Sequence, residues 1–213
     1  MEGSELILGL TVLGALPLLF MGLTAFVKIS TVLFITRSAI GMPAVPSNVV
    51  VLVLSAALTT LAMLPVTQLV AERATPLLQE PNERPLNERA GALLDAVREP
   101  LRAFYQANAS PRETERFTQL GRSRGATPVN PTDFSVLVPA FLVTELLEAF
   151  ALGFALFLPF LVIDLLVSNV LVSLGISSLS PTQVALPLKI LLFVALDGWG
   201  LLSQTLIKSY VSG

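Results

Sequence analysis

Eight charged side chains lie within the two long apolar parts of this 213-residue chain, and they are the residues that could carry chemistry there. A charge at the centre of a bilayer costs at least about 2.5–3.5 kcal/mol. We therefore expect them to meet protein, water or each other rather than lipid alone, which indicates a pore or an assembly rather than a simple anchor. They are Lys28, Arg37, Glu145, Glu148, Asp164, Lys189, Asp197 and Lys208.

Asp164 and Asp197 offer one catalytic chemistry, because two carboxylates that share a proton form the dyad of an aspartyl protease. The alternative is that each carboxylate pairs with a cation, and Lys189 is available for this role. Buried charges usually pair, and no motif supports a dyad, so the sequence favours ion pairing.

Glu145 and Glu148 are three residues apart and therefore share one face of a helix. They could form an ion site or a proton relay, or they could reach Lys28, Arg37 or a cation of a neighbouring subunit. We favour salt bridges, because such groups rarely stay unpaired in apolar surroundings. Lys28 and Arg37 are nine residues apart, which puts them on opposite helix faces and predicts that they serve different interfaces.

The last candidate is a short polar stretch between two hydrophobic runs of the second apolar part. It could constrict a pore, or it could be a plain connection, and its spacing leaves both interpretations open. Its residues are Gly175, Ile176, Ser177, Ser178 and Leu179.

The composition predicts a membrane protein. The chain is 54% hydrophobic and 13% charged, with a mean hydropathy of +0.78, whereas soluble domains are roughly 25% charged. Residues 6–27, 38–71 and 165–188 carry no charge, and each stretch reaches the ~20 residues that a spanning helix needs. The net charge of −2 provides no electrostatic footprint for nucleic acid.

Two residue types are missing altogether, namely cysteine and histidine. Their absence excludes disulfides, thiol catalysis, zinc sites built from these residues and histidine general bases. The acidic N-terminus lacks the basic region of a signal peptide, so we expect the first apolar segment to be retained.

The elements that must position these residues form an all-α fold in three segments. Residues 1–71 are predicted to form a hydrophobic helical hairpin that turns near the prolines and glycine of residues 41–48. Residues 134–213 are predicted to form a second hairpin that turns at residues 175–181. We place both hairpin tips in the cytoplasm, because Lys28 and Arg37 lie near a short loop.

Residues 72–133 hold most of the charge and are predicted to form a helical extramembrane segment, outside the membrane on the periplasmic side. An amphipathic helix in this segment has Asn87 as a plausible N-cap, and Pro100 should kink it. A second helix should begin at Ser110, which precedes Pro111 and a capping-box glutamate, Glu113.

Eight short strings in the chain resemble, in order, those of the R subunit of the type III secretion export apparatus. This family includes the flagellar protein FliP and the injectisome proteins SctR and YscR. The strings are FVKIS (26–30), RSAIG (37–41), VPSN (45–48), PLRAF (100–104), VPAF (138–141), PFLVIDL (159–165), LPLK (186–189) and DGW (197–199).

The resemblance implies a core subunit of an export gate in the bacterial inner membrane, and not an enzyme. It implies five copies in a helical complex with T and S subunits, next to the U subunit, around a pore for unfolded secreted proteins. No cofactor is expected. The charged residues of the apolar parts would then be buried or inter-subunit contacts, and residues 175–179 would constrict the pore.

Three features depart from the family pattern. The family usually has methionines after the glycine that matches Gly175, whereas this chain continues with Ile176. Leu147 stands where the family tends to have a lysine. The missing signal peptide favours the injectisome branch.

The alternative function is a channel or transporter for small solutes or protons, in which Glu145, Glu148 and Asp164 titrate along a pathway within one chain.

Overall fold

The computed structural model describes residues 11, 14, 20–79, 86–125 and 129–210, without the side chains of Leu86 and Asn87. Throughout these residues the regular structure is α-helical and strands are absent, which confirms the all-α prediction. Most of the first apolar stretch, residues 6–27, lies outside the described residues. The helices are α1 (Phe26–Ile40), α2 (Asn48–Ala62), α3 (Leu64–Gln79), α4 (Leu86–Asn108), α5 (Pro111–Ser123), α6 (Phe134–Ser173), α7 (Pro181–Ala195) and α8 (Gly198–Lys208).

Among the described helices, α6 alone is long and apolar enough to cross a membrane as a single element, with a mean hydropathy of 2.5 in its most apolar window. Two helix pairs reach the same length and composition only when taken together, α2 with α3 and α7 with α8, and each pair is bent by 57°. These bends are absent from our sequence interpretation. Pro65 follows the first bend and the Asp197-Gly198 dipeptide lies at the second, and both are turn signals that could have predicted them.

The helices break where the sequence predicts turns, between α1 and α2 and between α6 and α7. The end of α6 shows why the helix stops. The amide of Gly175 donates to the carbonyl of Val172 (3.0 Å), and the amide of Ile176 donates to Leu171 (3.0 Å). This pair of bonds is the Schellman motif, and it needs the left-handed backbone that Gly175 adopts at φ 69°.

The start of α5 also follows the sequence. The hydroxyl of Ser110 accepts a hydrogen bond from the Glu113 amide (3.3 Å), and Pro111 is the first helical residue. The capping box is only half formed, because the Ser110 amide donates to the Thr144 hydroxyl (3.0 Å) and the Glu113 carboxylate accepts from Arg116 (3.2 Å). The cap therefore also joins α5 to α6.

The start of α4 differs from the sequence interpretation. The helix begins at Leu86, so Asn87 lies in its first turn rather than at the N-cap. Pro100 lies inside the helix, which continues to Asn108. Helix-favouring residues around Asn87 and the large apolar face of α4 outweigh the local signal of one asparagine.

The chain divides into two compact units that each gather distant parts of the sequence. Unit 1 comprises Met1–Ala25, Thr60–Glu145 and Tyr210–Gly213, and unit 2 comprises Phe26–Thr59 and Leu146–Ser209. The boundaries fall inside α2 and α6. The division into a first hairpin (residues 1–71), an extramembrane segment (72–133) and a second hairpin (134–213) remains a prediction.

Unit 1 has an aromatic core formed by α4 and α6. The rings of Phe104 and Tyr105 lie 5.4 Å and 5.0 Å from that of Phe141, measured between centroids, and all three side chains are buried. Such ring contacts stabilise a core beyond the area that they bury. The Tyr105 hydroxyl donates to the carbonyl of Leu23 (2.8 Å), and burial raises the pKa of Tyr105.

Unit 2 is built around α1, whose Ile29, Val32 and Leu33 are completely buried. Helix α6 approaches α1 closely at Gly153, where an added Cβ would lie 2.6 Å from Cδ1 of Ile35. Only glycine permits this distance between the two helices without displacement.

Candidate functional site

Asp164 on α6 and Lys189 on α7 form an ion pair in unit 2, with Nζ 2.6 Å from Oδ2. Lys189 is 3% exposed, and its ammonium also contacts the carbonyl of Ala39 at the end of α1 (3.4 Å). The turn at Gly175 brings α6 and α7 side by side, so that residues 25 apart in the chain meet. One ammonium therefore joins three helices.

The apolar residues next to this pair hold α6 and α7 together. Val167 and Leu171 of α6 pack with Ala185 of α7, and Ile163 covers them. The second oxygen of Asp164, Oδ1, is buried and has no hydrogen-bond partner in the described part of the chain. The carboxylate is thus held by its lysine, which favours ion pairing over the protease dyad.

Lys28 on α1 and Glu148 on α6 form a second ion pair within unit 2, with Nζ 2.8 Å from Oε2. The lysine is 1% exposed, whereas the glutamate side chain is 49% exposed. The lysine is therefore taken out of solvent, and its partner stays at the surface of the chain.

Glu145 is completely buried in unit 1 and accepts a short hydrogen bond from the hydroxyl of Tyr210. The same hydroxyl lies 3.1 Å from the carbonyl of Ala25, and the tyrosine ring stacks on Phe104 at 6.0 Å. Sequence reasoning missed Tyr210 as a site residue. A lone tyrosine near the end of an apolar segment does not indicate a contact with a residue 65 positions away in the chain.

Arg37 near the end of α1 contacts neutral groups. Its Nη1 donates to the carbonyl of Pro46 (3.0 Å) and to Oδ1 of Asn48 (2.7 Å), and its guanidinium lies 5.2 Å from the ring centre of Phe34. Lys28 and Arg37 therefore have different partners, although both are on α1.

The side chains of Asp197 and of residues 175–179 make no hydrogen bond or ion pair with the part of the chain that the structure describes. Asp197 occupies the N-cap position of α8 with a left-handed backbone, φ 49°, and its side chain makes no cap hydrogen bond. All five residues from Gly175 to Leu179 are exposed. A role for them as a pore constriction remains a prediction, and so does a role for Asp197 in subunit contacts.

The acidic residues are thus distributed among separate partners. Within the described part of the chain, no three acidic residues converge into a group that could hold a metal ion. The geometry of Lys28, Glu148, Asp164 and Lys189 joins helices to one another. These features define a helical membrane protein whose apolar helices are linked by ion pairs with buried lysines.

Comparison with known proteins identifies the family. The FliP family matches residues 9–206. The chain is 40% identical to pathogenicity-related ORF2 of Xanthomonas campestris pv. glycines, over 98% of this chain and 97% of that protein. It is 36% identical to the hypersensitivity response secretion protein HrcR of Ralstonia nicotianae, over 98% of both. It is also 36% identical to the flagellar biosynthetic protein FliP of Agrobacterium fabrum, over 94% of this chain and 81% of that one. The chain therefore belongs to the FliP family, as the eight strings predict.

Proposed function

We propose that this chain is a core subunit of a type III protein secretion export apparatus. It would form, with partner subunits, the pore through which unfolded proteins cross the bacterial inner membrane. The observation that carries the proposal is the FliP family match over residues 9–206. The relatives include a secretion protein that the match covers to 98%, HrcR, and a flagellar biosynthetic protein, FliP. The full-length match to HrcR favours the injectisome branch.

The surface of α6 supports a role in an assembly. Leu147, Phe150, Phe154, Leu158 and Leu161 follow one another at spacings of three or four residues and therefore lie along one face. Their exposed fractions run from 38% to 65%. An apolar stripe of this length marks a surface for lipid or for another protein. In the proposed gate it would pack against further copies of the chain.

The ion pairs support the same proposal. Lys28 and Lys189 are buried inside the chain with Glu148 and Asp164 as partners, so that neither cation is exposed on the apolar helices. A transporter that moves protons within one chain would instead need these carboxylates along an open path.

We propose a pentamer of this chain with the T and S subunits and contact to the U subunit, and a periplasmic location for residues 72–133.

We further propose that residues 175–179 line the constriction of the pore. The Schellman turn exposes Ile176 and Leu179 at the hairpin tip, with exposed fractions of 37% and 50%. A ring of such apolar side chains can close a pore by dewetting. Ser177 and Ser178 make this ring wetter than one of methionines would be.

The decisive experiment is a mass measurement. The chain is co-expressed with its genetic neighbours, purified in mild detergent and analysed by native mass spectrometry. We expect five copies together with smaller hydrophobic partners. A stable monomer as the sole species under conditions that preserve other membrane complexes would contradict the proposal.

A further inference from the structure

Arg37 is a buried cation whose charge is not neutralised within the described residues. Its side chain is 9% exposed, and the two groups that it contacts, the Pro46 carbonyl and the Asn48 amide oxygen, are neutral. A guanidinium has five N–H donors and is permanently charged. The Nε donor is buried without an acceptor in the described part of the chain. Lys28 and Lys189 each have a carboxylate, so Arg37 differs from them.

Two adjoining cavities lie beside Arg37 in unit 2. The smaller one, about 140 Å³, is lined by Arg37 together with apolar residues that include Val45, Pro46 and Trp199. The larger one, about 350 Å³, is lined by the same three apolar residues and continues along α2 as far as Leu54. The guanidinium thus lies close to an apolar space, and the larger cavity is within the usual size range of ligand sites.

We propose that this site binds an anionic phospholipid, with the phosphate on Arg37 and part of an acyl chain in the cavity along α2. Arginine binds phosphate with several donors at once, and basic pockets between membrane helices bind anionic headgroups. Tryptophan, here Trp199, is one of the residues enriched at the level of the headgroups.

A carboxylate from a neighbouring subunit is the rival occupant. It would neutralise Arg37, but a carboxylate side chain does not itself extend into the apolar cavity beside Val50 and Leu54. A phospholipid satisfies the charge and the cavity together, so the two observations favour it. The inference requires a membrane location and does not depend on secretion.

The test uses the purified complex and native mass spectrometry. Complexes are incubated with phosphatidylglycerol, with phosphatidylcholine of identical acyl chains, or with inorganic phosphate. We expect retention of phosphatidylglycerol to exceed that of phosphatidylcholine roughly tenfold per subunit, because both lipids present a phosphate to the guanidinium but the choline cation neutralises the headgroup of phosphatidylcholine. Equal retention of the two lipids would overturn the proposal and favour the carboxylate. Complete displacement of the lipid by inorganic phosphate would show that the site binds simple anions. That result would also overturn the proposal.

Two kinds of variant separate the headgroup from the acyl chain. Arg37→Gln should lower retention of phosphatidylglycerol to the level of phosphatidylcholine. Val50→Trp places a large side chain in the cavity and should lower the retention of both lipids several-fold. Val53→Trp is the matched control, since Val53 is 64% exposed on the same helix and does not line the cavity. If Arg37→Gln prevents assembly, the lipid preference of the wild type still tests the headgroup contact, and the two tryptophan variants still test the acyl-chain cavity. Equal retention by Val50→Trp and Val53→Trp would refute the acyl site.

Discussion

Replacing Lys189 with methionine tests whether the ion pair between Asp164 and Lys189 stabilises the folded chain. The substitution removes the ammonium that lies 2.6 Å from Asp164 and also contacts the Ala39 carbonyl, while the methionine keeps most of the side-chain volume. The carboxylate of Asp164 would then have lost its one partner in the described residues, since its Oδ1 already has none. The variant therefore isolates the effect of a stranded charge.

The expected loss is large for a single substitution. Removing one member of a buried pair costs about 3–5 kcal/mol. Because the Asp164 side chain is 32% exposed, water relieves part of this, and we expect the lower end, about 3 kcal/mol. For a chain of this size, roughly 2–4 °C of Tm correspond to each kcal/mol, so the Tm should fall by about 6–12 °C. The double variant Asp164→Leu with Lys189→Met leaves no stranded charge and should recover to within about 1 kcal/mol of wild type.

The assay is thermal unfolding of the detergent-purified complex, together with its yield on size exclusion. Lys208→Met is the matched control, because Lys208 is exposed in the last turn of α8. A single variant that melts with the wild type would show that the pair contributes nothing to stability. If complexes of normal size and yield form while secretion stops, Asp164 and Lys189 are transport groups and the structural interpretation is wrong.

Three further predictions concern other sites. Tyr210→Phe removes the hydroxyl that donates to Glu145 and should cost about 1–3 kcal/mol, seen as a lower Tm of the purified complex; an unchanged Tm would mean that the bond is dispensable. Gly153→Ala places a methyl group against Ile35 and should cost about 1–3 kcal/mol, and the added substitution Ile35→Val, which deletes Cδ1, should restore part of the loss. No rescue would show that the two helices can move apart freely. Ile176→Ala should raise the resting ion conductance of the complex in planar bilayers without changing its assembly. An unchanged conductance would place the constriction elsewhere.

Local signals in the sequence predict the local structure well. The Ser110 cap, its proline and the turn at Gly175 are encoded within a few residues, because the side chains and backbone bonds that end a helix are near in the chain. Pro65 is the same kind of local signal for the bend beside it. The long uncharged run around Pro65 nevertheless favours the interpretation of one uninterrupted span.

The partners of the buried charges could not be predicted in the same way. Glu145 and Glu148 share a helix face, yet one contacts Tyr210 in unit 1 and the other contacts Lys28 in unit 2. These contacts join residues 65 and 120 apart, and only the packing of whole helices decides them. Arg37 looks like a salt-bridge partner in the sequence, and its contacts with neutral groups emerge only in three dimensions.

The length of α6 has a consequence for membrane insertion. At 1.5 Å per residue its 40 residues have a contour of about 60 Å, twice the ~30 Å thickness of the hydrocarbon layer. Tilts of membrane helices run to about 40°, which cannot absorb a hydrophobic mismatch of that size. The first twelve residues of α6, residues 134–145, belong to unit 1, where Phe141 is buried against Phe104 and Tyr105 of α4. The other 28 residues have a contour of about 42 Å, and at a tilt of about 40° they cross about 32 Å. Packing against α4 therefore adapts the length of α6 to that of the hydrocarbon layer.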